Sequence, residues 1–116
     1  MTGPDEWRCE VAELPPGRTA TFHLSCGGRA VGGFAINHEG RVYAYVNRCP
    51  HVGTPLDMWP NEFLAEDGRT IVCATHGALF DPEGGLCTAG PCAGDRLTRL
   101  QARIDGRDVV VGCGRP

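Results

Sequence analysis

Two short stretches concentrate the side chains able to do chemistry. Cys49 and His51 are separated by one residue in NRCPHVGTPLD, residues 47 to 57, and Cys73 and His76 by two in CATHGALFD, residues 73 to 81. Thiolate and imidazole are both metal ligands, and two Gly/Pro-rich loops carrying one of each offer four donors. The spacing then constrains the metal. Extended chain advances ~3.3 Å per residue, so a Cys and a His one residue apart project the same way from points ~6.6 Å apart. Two ligands of one tetrahedral zinc, with bonds of ~2.0–2.3 Å, must bring their donor atoms to roughly 3.5 Å. A curled loop achieves this, so a mononuclear Cys2His2 zinc site stays open. A binuclear centre needs less bending: each loop gives its Cys to one metal and its His to the neighbour. Two thiolates on one iron and two imidazoles on the other make a mixed-ligand [2Fe–2S] cluster.

The elements that must position these loops read as all-β. Seventeen glycines and nine prolines cut the chain into short segments, as in a sandwich or barrel. GGFAINHEGRVYAYVN predicts a hairpin with a polar turn ending at Gly40, after which Val42, Ala44 and Val46 alternate with Tyr43 and Tyr45. LTRLQARIDGRDVVVG predicts a second hairpin turning at Asp105-Gly106. TATFHL and the segment from Trp7 to Leu14 are further strand candidates, and MWPNEFLAED, residues 58 to 67, is the one place for a helical turn. Trp59 and Phe63, between the two boxes, are expected to pack beneath the loops.

Composition limits the function classes. A chain of 116 residues is expected to be a single domain, residues 1–116. A net charge of −3 provides no basic footprint for nucleic acid or an anionic membrane. No apolar run approaches the ~20 residues of a membrane span. MTGPDEWRCE is acidic and lacks an apolar signal core, which predicts a cytoplasmic protein. Seven cysteines without a signal segment point to metal rather than to a disulfide framework. Cys9, Cys26 and Cys113 fall in or beside strands and read as small buried hydrophobes. His23 and His38 read as ordinary surface or edge residues.

C-P-H-x-G at 49 to 53 and C-x-x-H-G at 73 to 77 resemble the two cluster-binding boxes of the Rieske iron–sulfur domain. Phe80-Asp81, Gly84-Gly85 and Gly90-Pro91 followed by Leu97 are similar to the family's continuation into a "Pro loop" that covers the cluster. The likeness spans roughly residues 30 to 111. It implies a small Rieske-type domain of stacked antiparallel sheets with two cluster-binding loops, holding one [2Fe–2S] cluster. Carried over position by position, Cys49 and Cys73 hold the buried iron, and His51 and His76 hold the outer iron through Nδ1. Both irons are then coordinatively full, which implies a one-electron carrier with no open substrate site. An oxygenase of this family adds an iron held by two histidines and a carboxylate; only His23 and His38 remain, both before the cluster. The resemblance therefore implies a stand-alone Rieske-type ferredoxin, passing electrons from a flavin-containing reductase to a terminal oxygenase. A small subunit of an assimilatory nitrite reductase-like complex is the alternative, and a zinc-stabilised interaction module a third.

Three departures matter. Thr54 and Thr75 stand where respiratory Rieske proteins carry an extra disulfide-forming pair, so that bridge is absent. Cys87 and Cys92, in LCTAGPC, are expected to be free thiols in a reducing compartment. Ala78 and Phe80 stand where high-potential members place a serine and a tyrosine that donate hydrogen bonds to sulfur, which predicts a potential at the low end of the family's range.

Overall fold

The computed structural model describes residues 6–50, 55–57, 63–65, 67–73 and 77–113. Among these residues nine strands run in the order β1 (Glu6–Glu10), β2 (Thr19–Cys26), β3 (Arg29–His38), β4 (Arg41–Val46), β5 (Ile71–Val72), β6 (Leu79–Phe80), β7 (Cys87–Ala89), β8 (Arg99–Asp105) and β9 (Asp108–Gly112). A 3-10 turn at Val11–Glu13 follows β1. The pairings are antiparallel throughout, in a six-stranded sheet β1-β9-β8-β4-β3-β2 and a three-stranded sheet β5-β6-β7. The all-β expectation holds. Among the described residues no helix is long and apolar enough to cross a membrane.

Both predicted hairpins form. β3 and β4 pair up to His38↔Arg41, leaving Glu39 (φ 54) and Gly40 (φ 92) as a two-residue turn with both centres in the left-handed region. Such turns match the natural strand twist, and glycine makes one of the two centres strain-free. β8 and β9 pair up to Asp105↔Asp108, so Gly106 and Arg107 form the tip, one position later than Asp105-Gly106. Of residues 58 to 67, the stretch read as a helical turn, only Phe63, Leu64, Ala65 and Asp67 are described. There Leu64 makes an isolated bridge to Ile71. Trp59 lies outside the described residues.

The β3–β4 hairpin is buried on both faces. Phe34, Ile36, Tyr43 and Tyr45 enter one core cluster with Leu56, Phe63, Ile71 and Phe80. Their neighbours Ala35 and Ala44 enter a second cluster with Phe22, Leu24, Leu100, Val109 and Val111. Successive side chains on a strand point to opposite faces, so one hairpin serves two cores, bulky toward the first and small toward the second. Phe63 stacks on Phe34 with ring centroids 4.2 Å apart, which bears out its expected packing role.

The six-stranded sheet curls until its edges meet. β1 and β2 stand at opposite ends of the strand order, yet Trp7 of β1 stacks on Phe22 of β2 at 4.8 Å. Cys26, at the end of β2, is disulfide-bonded to Cys113, just beyond β9. This corrects the reading of Cys26 and Cys113 as small buried hydrophobes. Both are only partly buried and serve as a covalent tie across the seam. Cys9 remains a free thiol packed at the edge of the second core.

Tyr45 connects the hairpin to the chain beyond β6. Its hydroxyl donates to the Pro82 carbonyl at 2.6 Å, and burial pushes the phenol up to about 12. The fold thus binds this proton more tightly than the unfolded chain, where a tyrosine titrates near ~10. The resulting stability is complete below pH ~10 and is lost as pH rises toward the folded value of about 12. Urea titrations at about pH 9 and about pH 11 should show the loss, and Tyr45→Phe should reduce its size.

Candidate metal centre

The first loop leaves β4 at Val46, whose amide donates to Thr98 O, while the Asn47 amide donates to Gly32 O, both at 2.9 Å. Asn47 then fastens both ends of the loop. Its Nδ2 donates to Asp57 Oδ1 and its Oδ1 accepts from the Leu56 amide, each at 2.8 Å. Residues 47 and 56–57 are therefore stitched together by one side chain. Cys49 turns inward from this loop and is 0% exposed, although Arg48 and Pro50 on either side are exposed.

The second loop is the turn of the β5–β6 hairpin. The Cys73 amide donates to Ala78 O, and the Gly77 amide donates back to Cys73 O, both at 2.8 Å. Gly77 has φ +70, a conformation that costs a side-chain-bearing residue. Cys73 is also 0% exposed. The two thiols thus arrive in one buried cluster with Phe34, Tyr45, Phe63 and Phe80. His51 and His76 lie outside the described residues. Among the described residues no three His, Cys, Asp or Glu side chains gather as a metal site. The two thiols are the part of the predicted set seen to come together.

A third loop presses on the second. Gly90 has φ +102, and a Cβ built there would lie 2.8 Å from the Ala78 Cα. Only hydrogen fits in that gap. Cys92 of this loop is buried, and its thiol is pushed up to about 12, first by that burial and next by its hydrogen bond with Cys87. Cys92 joins Cys49 and Cys73 in the same core cluster.

These residues suit a thiolate-bound cluster. Cys49 and Cys73 are unbonded, buried and set in apolar surroundings, where an uncompensated thiolate is costly and a metal cation supplies the compensation. The remaining histidines are elsewhere. His23 is exposed on β2; His38, its side chain 10% exposed, lies 3.7 Å from Glu83 and 3.9 Å from Glu39. His38 is thus more enclosed than the surface reading expected. A groove of about 580 Å³ involving Arg41, Tyr43, Glu83 and Arg99 contains neither cluster thiol. Asn47 is the positioning residue that sequence reading passed over. Its only signal is an amide and a carboxylate, Asn47 and Asp57, flanking the loop, and spacing alone does not show that they meet.

The family model of the Rieske [2Fe-2S] domain matches residues 6–108, and the chain belongs to that family, whose cofactor is a [2Fe–2S] cluster. Membership sets aside the zinc alternative. The chain is similar to the ferredoxin component of the alkene monooxygenase system of Xanthobacter autotrophicus, 31% identical over 106 residues, covering 90% of this chain and 77% of that protein. Among solved structures it is similar to the ferredoxin of carbazole 1,9a-dioxygenase from Nocardioides aromaticivorans IC177, with 25% identity and a TM-score of 0.73 over 94% of this chain and 98% of that one. The terminal oxygenase of carbazole 1,9a-dioxygenase from Novosphingobium sp. KA1 shares the fold, with 18% identity and a TM-score of 0.72, covering 99% of this chain but 31% of that one.

Proposed function

We propose that this protein is a one-electron carrier of an oxygenase system, accepting from a flavin-containing reductase and delivering to a terminal oxygenase. Cys49 and Cys73 would hold one iron of the cluster, and His51 and His76 would hold the other. The observation that carries this reading is the delivery of Cys49 and Cys73 from two separate loops into one buried cluster. The likeness to whole ferredoxin components of two oxygenase systems supports the partner class.

When bound, the cluster takes up and releases one electron. The chain's own residues set how readily. Asn47 keeps the first loop closed, and the Gly77 turn fixes Cys73. Phe34, Phe63 and Phe80 exclude water from the thiolate side. We place the protein in the cytoplasm, where Cys49, Cys73, Cys87 and Cys92 stay as thiols or thiolates. The Cys26–Cys113 bond runs the other way, since disulfides are rare in reducing compartments.

The potential tests the reading. Ala78 and Phe80 are both 0% exposed, and neither carries a hydroxyl to donate to sulfur. Hydrogen bonds to sulfur favour the reduced, more electron-rich state. Without these two, the potential should lie near the low end of the ~−150 to +300 mV family range. A charge-assisted bond is worth roughly 1.5–3 kcal/mol, and ~1.4 kcal/mol corresponds to ~59 mV for one electron. Only the difference between redox states counts, so Ala78→Ser and Phe80→Tyr should each raise the potential by tens of millivolts. Protein-film voltammetry reads this directly. A wild-type potential above about +100 mV, in the upper half of that range, would overturn the ferredoxin assignment.

A further inference from the structure

Cys87 and Cys92 belong neither to the four-residue ligand set nor to the Cys26–Cys113 bond. Their loop is closed by its own backbone. The Cys87 amide donates to Asp95 O at 2.7 Å, and the Cys87 carbonyl accepts from the Gly94 amide at 3.1 Å. Two further bonds tighten the turn, Ala93 N to Gly90 O at 3.2 Å and Asp95 N to Cys92 O at 2.8 Å. From Thr88 to Arg96 every residue is exposed except Cys92, which is 3% exposed and faces Cys87, itself 2% exposed. The Cys92 thiol donates to Cys87 Sγ at 2.9 Å, and the Cys87 thiol donates to Ala89 O at 3.3 Å. The sulfur separation of 2.9 Å leaves less than ~1 Å to the ~2.05 Å of a disulfide bond.

We propose that Cys87 and Cys92 form a reversible dithiol–disulfide couple, a modification site that locks the loop packed against the second cluster-binding turn. The oxidant class is a low-molecular-weight disulfide such as glutathione disulfide. One protein thiolate attacks a sulfur of that reagent, its S–S bond breaks, and one small thiol leaves, giving a mixed disulfide. The second protein thiol attacks the protein-side sulfur, forming the Cys87–Cys92 bond and releasing the second small thiol. The protein loses two electrons and two protons, all carried away by the two released thiols. Proximity favours the second step: the partners already touch inside a loop that the backbone has closed. A buried pair exchanges slowly, and opening the exposed loop around Cys92 admits the reagent. Since Gly90 of the same loop abuts Ala78, the thiol state of the surroundings is registered at the edge of the metal centre.

The test equilibrates the cluster-loaded protein without oxygen in glutathione buffers from fully reduced to fully oxidised, until labelling is constant. It is then quenched with an alkylating agent and mapped by peptide. Labelling of Cys87 and Cys92 should fall together to zero, the peptide containing both should lack two hydrogens, and dithiothreitol should restore both labels. In Cys87→Ser, Cys92 should stay labelled or carry glutathione, and Cys92→Ala provides the reciprocal variant if that one fails to fold. The visible spectrum, recorded alongside, shows whether the cluster stays bound. Persistence of both labels at the oxidising end overturns the proposal. So does independent titration of the two cysteines, or bonding of either to a third cysteine. The wild-type result decides by itself and does not depend on the electron-carrier reading.

Discussion

Cys73→Ala should abolish the electron paramagnetic resonance signal of the reduced mixed-ligand cluster, and His51→Cys should abolish or convert it. Cys73 is the inner end of a turn closed by two backbone hydrogen bonds, which hold its position in the loop. The thiol is fully buried, in the core cluster that also holds Phe34, Phe63 and Phe80. With Cys73 removed, the proposed ligand set would keep only one of its two thiolates. The expected outcome is complete loss of the mixed-ligand signal. His51→Cys keeps four ligands but makes the set more negative, which shifts the signal and lowers the potential. His38→Ala is the control and should leave the signal intact, because His38 sits at the β3–β4 turn beside Glu39 and Glu83. A wild-type signal in Cys73→Ala would refute the ligand assignment.

Opening the Cys26–Cys113 bond should lower the unfolding free energy by about 2–4 kcal/mol. The bond spans 87 residues of sequence, three quarters of the chain, so it removes much of the freedom of the unfolded state. It also joins the end of β2 to the far side of the sheet, beside the Trp7–Phe22 stack. At roughly 4–8 °C per kcal/mol for a domain near this size, the melting temperature should fall by at least about 8 °C. Urea unfolding of wild type with and without dithiothreitol, against Cys113→Ser, gives the measurement. Reductant should bring the wild-type midpoint down to that of the variant and leave the variant unmoved. A wild-type midpoint indifferent to reductant, already equal to the variant's, would show that the bond contributes nothing.

Local signals carried further than long-range ones. The β3–β4 and β8–β9 hairpins were readable because alternation and a glycine turn are encoded within a few residues. The double burial of β3–β4 was partly visible: Val42, Ala44 and Val46 alternate with Tyr43 and Tyr45. That the tyrosines face the first core and Ala44 the second was not. Nothing in a strand's own sequence says what will cover either face. Asn47 escaped notice for a related reason. An amide ten residues from its carboxylate partner becomes a clamp only after the loop between them folds back.

By itself the sequence determined the all-β class, the two hairpins and the pair of loops offering Cys49, His51, Cys73 and His76. Each is a matter of residue type and short spacing, which chain stereochemistry translates directly into strands, turns and donor sets. The tertiary structure alone decided that the six-stranded sheet curls to bring Trp7 onto Phe22, and that Cys26 finds Cys113. It also decided that Cys49 and Cys73 share one core, and that Cys87 and Cys92 touch. These contacts depend on sheet curvature and on how loops pack, and those follow from summed burial across the whole chain, a quantity that no short window of residues contains.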